Sequence, residues 1–273
     1  MIIDVHCHAG TGDLLTAPWN TDAPIQPYLR RAKAAGINKT VVFAAFHSDY
    51  AVANAEVARI VAHYPQRLIG FAFVHAIRDA GRIRRMVQQA VTQWGFRGIK
   101  VHGKDGMLTR EVCEVARAFR LPILIDVVDR AEVIDMVAPQ YPAVNFIIPH
   151  FGSFRDDWQA QQRVVDQVVR YPNVYADTSG VRRFDYIVQA IQRAGPRKVL
   201  FGSDGPWLHP GVELHKIRVL GLPTAQEAMI LGGNALRLLG PARMAHRLPN
   251  HLPLPAQKPQ GVLASSVLQE YEL

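Results

Sequence analysis

Eight short runs rich in valine, isoleucine and phenylalanine alternate with longer segments of helical period, and this alternation limits the fold more than any other feature of the chain. The runs span residues 2–5, 40–44, 68–74, 98–101, 123–125, 144–148, 174–176 and 199–201. The intervening segments read as amphipathic helices over 25–35, 52–63, 80–94, 110–119, 131–140, 158–170, 184–194 and 225–239. Most stop at a helix breaker: Gly36, Gly95, Gly195 and Gly240, or a proline just beyond, at Pro65, Pro122, Pro142 and Pro172. Near-continuous apolar runs suit parallel strands covered on both faces. Eight strand–helix units in this order predict an α/β fold, a closed (β/α)8 TIM barrel over residues 1–240. An open doubly wound sheet usually carries a glycine-rich turn after its first strand, whereas here the first strand runs into His6-Cys7-His8. Residues 241–273, rich in proline and leucine, hold no barrel unit and read as an extended C-terminal tail.

In such barrels the reacting groups sit at the C-terminal ends of the strands. The polar residues at those ends are His6 and His8, His47, His75, Lys100 and His102, Asp126, His150, Asp177 and Asp204. Side chains two apart on a strand share a face, so His6 and His8 point together, as do Lys100 and His102. Two imidazoles on one face at the barrel rim suit a divalent metal; alone they fit a pair of hydrogen-bonded core histidines slightly better. Asp204, in Gly202-Ser203-Asp204, can bind metal and accept a proton from water, or simply cap the turn at Gly205-Pro206. His150 can ligate metal or polarise the attacked group, or hydrogen-bond across the rim. The loop 9–23 carries Trp19. Trp207 follows Asp204, and Arg182-Arg183 follows the seventh strand; with His102 these are candidates for holding a planar or carboxylated substrate.

Four of these segments form a known pattern. Asp4-Val5-His6-Cys7-His8 resembles the Asp-x-His-x-His opening of the amidohydrolase superfamily. His150-Phe151-Gly152 is similar to its strand-six histidine motif, Phe201-Gly202-Ser203-Asp204 to its strand-eight Gly-Ser-Asp, and Asn234-Ala235 with Leu238-Leu239 to its closing helix. The resemblance covers roughly residues 1–240 and is greatest to the amidohydrolase-related branch of hydrolases, lactonases and decarboxylases. It implies that His6, His8 and Asp204 bind one divalent ion, usually zinc, with His150 on the metal or activating water beside it. The family usually has a histidine after its fifth strand, where this chain has Asp126. A carboxylate can serve as the remaining ligand, and it makes the site harder, suiting manganese or magnesium better than an all-histidine set would. In some relatives a fourth-strand lysine is carboxylated and bridges two metals. Without the strand-five histidine that arrangement is not expected here. Lys100 is assigned to substrate or electrostatic work, the alternative being a buried ion pair with a rim carboxylate.

The formal net charge is +8, which raises nucleic acid as a partner, yet no zinc-finger spacing, aromatic RNA-binding motif or long basic run accompanies it. Steering of a small anionic substrate is the better use of the charge. No apolar run is long enough to span a bilayer. The opening Met1-Ile2-Ile3-Asp4 lacks the features of a signal peptide, so a cytoplasmic protein is expected, with a homo-oligomer allowed. Cys7 and Cys113 read as buried, reduced thiols.

The leading functional expectation is metal-assisted hydrolysis of a lactone, ester or amide bond in a small carboxylated molecule. Asp204 would carry the proton of water and His150 would stabilise the developing oxyanion. Non-oxidative decarboxylation uses nearly the same residues, and a non-catalytic barrel that binds a ligand is the third reading.

Overall fold

The computed structural model describes residues 1–13 and 22–240. Trp19 and the expected tail at 241–273 lie outside the described residues. The strands, in chain order, are β1 (Ile3–Ala9), β2 (Lys39–Ala44), β3 (Leu68–Gly70), β4 (Ala72–Phe73), β5 (Ile99–His102), β6 (Ile123–Asp126), β7 (Phe146–Ile148), β8 (Val174–Asp177) and β9 (Val199–Leu200). Every neighbouring pair is parallel. β3 and β4 are two halves of one apolar run. The first half pairs with β2 and the second with β5, and between them Phe71 N–H donates to Val42 O at 2.9 Å. The ring closes where β1 meets the chain after β9: Val5 N–H donates to Phe201 O at 3.0 Å and His8 N–H to Gly205 O at 2.6 Å. The eight-stranded barrel read from the sequence is therefore the fold.

Asp4 is the residue that fastens this closure. Its Oδ1 accepts the amides of His6 (3.0 Å) and Ser203 (2.9 Å), and its Oδ2 accepts the hydroxyls of Tyr28 (2.6 Å) and Ser203. The register of β1 against β2 shifts between Asp4 and Cys7. The irregularity sends the Asp4 carboxylate to Tyr28 on the outer helix α1 (Ile25–Ala34), while His6 and His8 face inward.

The helices α2 (Tyr50–His63), α3 (Ile83–Trp94), α4 (Arg110–Phe119), α5 (Glu132–Val137), α6 (Trp158–Arg170) and α7 (Phe184–Ala194) lie close to their expected spans. Asp49, Thr109 and Asp157 cap three of them by accepting an amide of the first turn. Gly95 ends α3 in the left-handed region, at φ 69°. The last unit differs from expectation. The segment at 225–239 is not one helix but α9 (Thr224–Ala228), a π-turn (Met229–Gly233) and α10 (Asn234–Leu239). The wide turn surrounds Gly232, where a Cβ would stand 2.3 Å from Met1 O. Ahead of it, α8 (Pro210–Arg218) has no counterpart in the sequence reading. Asn234 ties α10 to the barrel floor, its amide donating to Pro196 O and Val199 O at 2.8 Å each. Cys7 and Cys113 are both free and buried, as read. Among the described residues no helix is long and apolar enough to cross a membrane.

Candidate active site

The barrel mouth gathers the strand-end residues of β1, β5, β6, β8 and the turns after β7 and β9. His6 Nε2 lies 3.2 Å and His8 Nε2 3.7 Å from Asp204 Oδ1. Candidate ligand atoms of His6, His8 and Asp204 all fall within 4.8 Å of one another, and all three residues are buried. Across the mouth, Asp126 Oδ2 stands 3.2 Å from His102 Nε2 and 3.7 Å from His150 Nε2. The His6 and His150 rings, 5.1 Å apart, join the two groups.

Hydrogen bonds assign the imidazole tautomers. A backbone carbonyl only accepts, so His8 Nδ1–H donates to Ala44 O (2.9 Å) and His150 Nδ1–H to Ser179 O (2.7 Å). His6 Nδ1 lies 3.1 Å from Asp177 Oδ2. Burial pushes the Asp177 carboxyl upward, but His6, His150 and Ser179 outweigh it and hold the group below the usual range, so it accepts. In all three rings Nε2 is the nitrogen left facing the mouth. His102 is the reverse: its Nδ1 accepts the Lys104 amide (3.1 Å), leaving Nε2–H to donate to Asp126.

His6 Nε2 and Asp204 Oδ1 are both acceptors, and they face each other at 3.2 Å. Such a pair is stable only around a shared cation or proton. Burial, with the Lys100 charge, pushes His6 down to about 3 and His8 well below its ordinary value, so both rings are neutral, as metal ligands must be. Burial pushes the Asp204 carboxyl up to about 7, against the opposing pull of His150 and Lys100. The donor set of two imidazoles and one carboxylate fits a divalent ion such as zinc. Asp126 is also an anion: burial raises it, but His102, His150 and Lys100 hold it well below the usual range. One of its oxygens is already committed to the Val128 amide at 2.9 Å.

Lys100 is fully buried, with Nζ 4.7 Å from the centroid of the Phe43 ring and no hydrogen-bond partner among the described residues. Burial depresses its pKa while Asp126, Asp204 and Asp177 work against that, so the ammonium stands inside the barrel amid the site's carboxylates. The buried ion pair considered as its alternative role does not form within 4 Å among the described residues. Trp207, 40 % exposed, lies 4.4 Å from the His8 ring and parallel to Phe46 at 6.2 Å, making an aromatic wall over His8. Arg182 stands apart, its guanidinium on Asp156 Oδ2 (2.6 Å) and Phe154 O (2.8 Å), while Phe154 itself meets His150 at 5.0 Å. His47 and His75 turn their own loops: His47 Nδ1 accepts the Asp49 amide and His75 Nδ1 those of Ile77 and Arg78.

The backbone is strained at this end of the barrel. His150 (φ 56°), Asp204 (φ 55°) and the β-branched Val128 (φ 48°) all occupy the left-handed region. Such conformations persist where the surroundings over-determine them, and they cluster at functional sites. The residues that sequence reasoning passed over are Ser179 and Phe46. Ser179 follows a strand-end aspartate by two positions, a spacing that forms a local hydrogen-bonded turn; Phe46 carries no polar signal at all.

The chain belongs to the amidohydrolase family, whose model matches residues 3–240. No curated protein sequence matches it. Among solved structures it is similar to 5-carboxyvanillate decarboxylase from Sphingomonas paucimobilis, with a TM-score of 0.66 and 17% identity over 87% of this chain and 98% of that one. It is similar to a dihydroxybenzoic acid decarboxylase from a Polaromonas species, solved with manganese and 2-nitroresorcinol, with a TM-score of 0.66 and 19% identity over 87% and 96% of the two chains. The probable 2-pyrone-4,6-dicarboxylic acid hydrolase of Acinetobacter baumannii, solved with citric acid, gives a TM-score of 0.66 and 17% identity over 87% and 98%. Likeness at these identities is likeness of fold.

Proposed function

We propose that this member of the family is a metal-dependent hydrolase that opens a lactone, ester or amide bond in a small carboxylated molecule. The reading rests above all on Asp204: a buried carboxyl shifted to about 7, facing two neutral imidazoles at 3.2 and 3.7 Å. His6, His8 and Asp204 would hold one divalent ion, with Asp126 as the fourth protein ligand; zinc suits the imidazoles, and manganese, which one structural relative contains, suits the carboxylates. When bound, the ion supplies Lewis acidity toward a carbonyl and lowers the pKa of water. Asp204 takes the proton of the attacking water and returns it to the leaving group. His150, braced at Nδ1, turns Nε2 toward the oxygen that gains charge and, when protonated, donates to it. Lys100 offers the substrate carboxylate an ammonium with no hydrogen bond to give up, and His102 and Trp207, both against Phe46, would line the mouth around the substrate. Arg182 is the outermost contact, reached by exchanging the Asp156 carboxylate for that of the substrate.

The test is metal analysis of the full chain purified without chelator, followed by turnover of a panel of small carboxylated lactones, esters, amides and hydroxybenzoates in 18O-labelled water. The expected result is about one divalent ion per chain, activity lost on chelation and restored by metal, and labelled oxygen in a newly formed acid or, for a lactone, hydroxy acid. Release of carbon dioxide from a hydroxybenzoate without bond hydrolysis would replace this reading with decarboxylation. A metal-free protein that leaves the panel intact would replace it with ligand binding alone.

A further inference from the structure

The loop after β8 makes a compact fork whose role goes beyond the residues assigned so far. Asp177 Oδ1 accepts both donors of Ser179, the amide at 2.9 Å and the hydroxyl at 2.5 Å. That leaves Oδ2 for His6 Nδ1 at 3.1 Å. The Ser179 oxygen, its proton spent on Asp177, stands 3.1 Å from His6 Nδ1 and 3.1 Å from His150 Nδ1. One hydroxyl therefore sits between two rings that serve different tasks at the mouth. All four residues are essentially sealed from solvent, so no water competes for these bonds.

The surroundings are shaped to this fork. A Cβ at Gly202 would meet the Asp177 carboxyl carbon at 3.0 Å and His6 Cβ at 3.1 Å. Gly180, at φ +63°, leaves room for the His150 ring, and its amide is held by Glu213 Oε2 of α8 at 2.9 Å. Glu213 in turn pairs with Lys216 at 2.6 Å, and Lys216 donates to Val181 O at 2.7 Å. Helix α8, absent from the sequence reading, thus braces the loop that carries the fork.

We propose that Asp177, oriented by Ser179, is a positioning residue that locks His6 as its Nδ1–H tautomer, with the Ser179 hydroxyl tying His150 into the same arrangement. The inference rests on the proposed metal-dependent reading only for what the lock is for: it keeps the Nε2 lone pair of His6 available to an ion. The fork also dictates the outcome of an isosteric change. In Asp177→Asn the two Ser179 donors claim the amide oxygen, so the amide NH2 must face His6 Nδ1. A donor there forces the ring into its Nε2–H form and removes the ligand lone pair.

The experiment uses 15N-labelled, metal-free full-length protein at a pH well above the ordinary histidine pKa, where imidazole shifts report the neutral tautomer. Cobalt(II) titration read by its visible absorption accompanies it. Wild type should show His6 as Nδ1–H. Asp177→Asn should show Nε2–H and bind cobalt at least about tenfold more weakly. Asp177→Ala removes the acceptor and leaves the Ser179 hydroxyl, which can donate or accept, facing His6 Nδ1 at 3.1 Å. It should give intermediate His6 shifts and cobalt binding weaker by about threefold, and it decides the matter if Asp177→Asn does not fold. A merely structural fork predicts lower melting temperatures with His6 unchanged. A pure Nδ1–H signal in either folded variant overturns the proposal. Wild type that shows the Nδ1–H form yet takes up no cobalt would instead refute the metal-dependent function and leave the lock standing.

Discussion

His102 Nε2 donates to Asp126 Oδ2 across 3.2 Å, while the other oxygen of Asp126 holds the Val128 amide at 2.9 Å. The carboxylate is thereby fixed in rotation, and Oδ2 is presented at once to His102 and, at 3.7 Å, to His150. A histidine in this place offers one nitrogen to a metal; the aspartate offers a shared anionic edge. The same position that departs from the family pattern thus binds His102 and places its anionic edge beside His150, the two imidazoles that lie outside the His6, His8 and Asp204 group.

Asp126→Asn tests how that edge is used. The amide oxygen must stay with Val128, so the amide NH2 turns toward His102 Nε2–H, donor against donor. A fold loss of about 1–3 kcal/mol is expected from the unsatisfied buried contact. If Asp126 is the fourth ligand, metal affinity should fall by about tenfold as well. Isothermal titration with manganese and zinc, alongside thermal unfolding, separates the two effects, and an unchanged affinity removes Asp126 from the ligand set.

Lys100→Met tests the buried ammonium. Its Nζ has no hydrogen bond to lose, and methionine fills nearly the same volume over Phe43. Losing a charge-assisted contact to a substrate carboxylate should raise KM by about tenfold or more. Matched pairs of substrates, one carboxylated and one a neutral ester, provide the check. The penalty should fall on the carboxylated member, and an equal loss on both would show that Lys100 acts on the site's own carboxylates instead.

The barrel was legible because buried parallel strands leave long apolar runs, and its closure was legible because eight strand–helix units follow one another in order. The site was legible to the same depth: a polar residue at a strand end is a local signal, so His6, His8, Lys100, Asp126, His150 and Asp204 could be read one by one. Tautomers could not, because they depend on partners far off in sequence, such as Ala44 for His8 and Asp177 for His6. Nor could the destination of Arg182, whose partner Asp156 lies 26 positions away on another loop. Helix α8 escaped notice because Pro210–Arg218 is short and its apolar residues do not mark one clear face. The break in the last helix follows from a backbone approach at Gly232 that no periodicity records.

The pH dependence of stability in the metal-free protein should carry the mark of Asp204. Its carboxyl rises from 3.8 to about 7 on folding, so the folded state favours the protonated form. A raised pKa contributes stability that is complete below the unfolded value and is lost as pH climbs through the folded one. Asp4, raised to about 7 by burial, acts in the same direction, whereas His6, lowered to about 3, and His8, lowered well below its ordinary value, act oppositely, as do the lowered carboxyls of Asp126 and Asp177, so the bare wild-type profile mixes many groups. The difference between Asp204→Asn and wild type isolates one of them. The melting temperature of the variant relative to wild type should increase as pH rises from about 4 to about 7 and level off above. A difference that stays flat across that range would mean that Asp204 is not a buried, proton-holding group.

Asp204→Asn in the metal-loaded protein then addresses the chemistry. The variant should fold, for three reasons that lie in the local structure. Asparagine accepts the left-handed backbone that this position adopts at φ 55° as readily as aspartate does. The turn itself is held by Ser203, whose hydroxyl accepts the Gly205 amide at 3.2 Å and whose amide binds Asp4, so the Asp204 carboxylate is not its cap. And the side chain lies at the barrel mouth, against His6 and His8, outside the apolar packing of the core. The amide oxygen can still ligate, so metal content should fall less than in His6→Ala, which deletes a ligand outright. What the amide cannot do is take a proton, and turnover should drop by at least about a hundredfold, the usual scale for an acid–base group. Turnover, metal content and melting temperature measured on one preparation keep these effects apart. A folded, metal-loaded Asp204→Asn protein with near-wild-type turnover would leave the reaction without its base and end the hydrolytic mechanism.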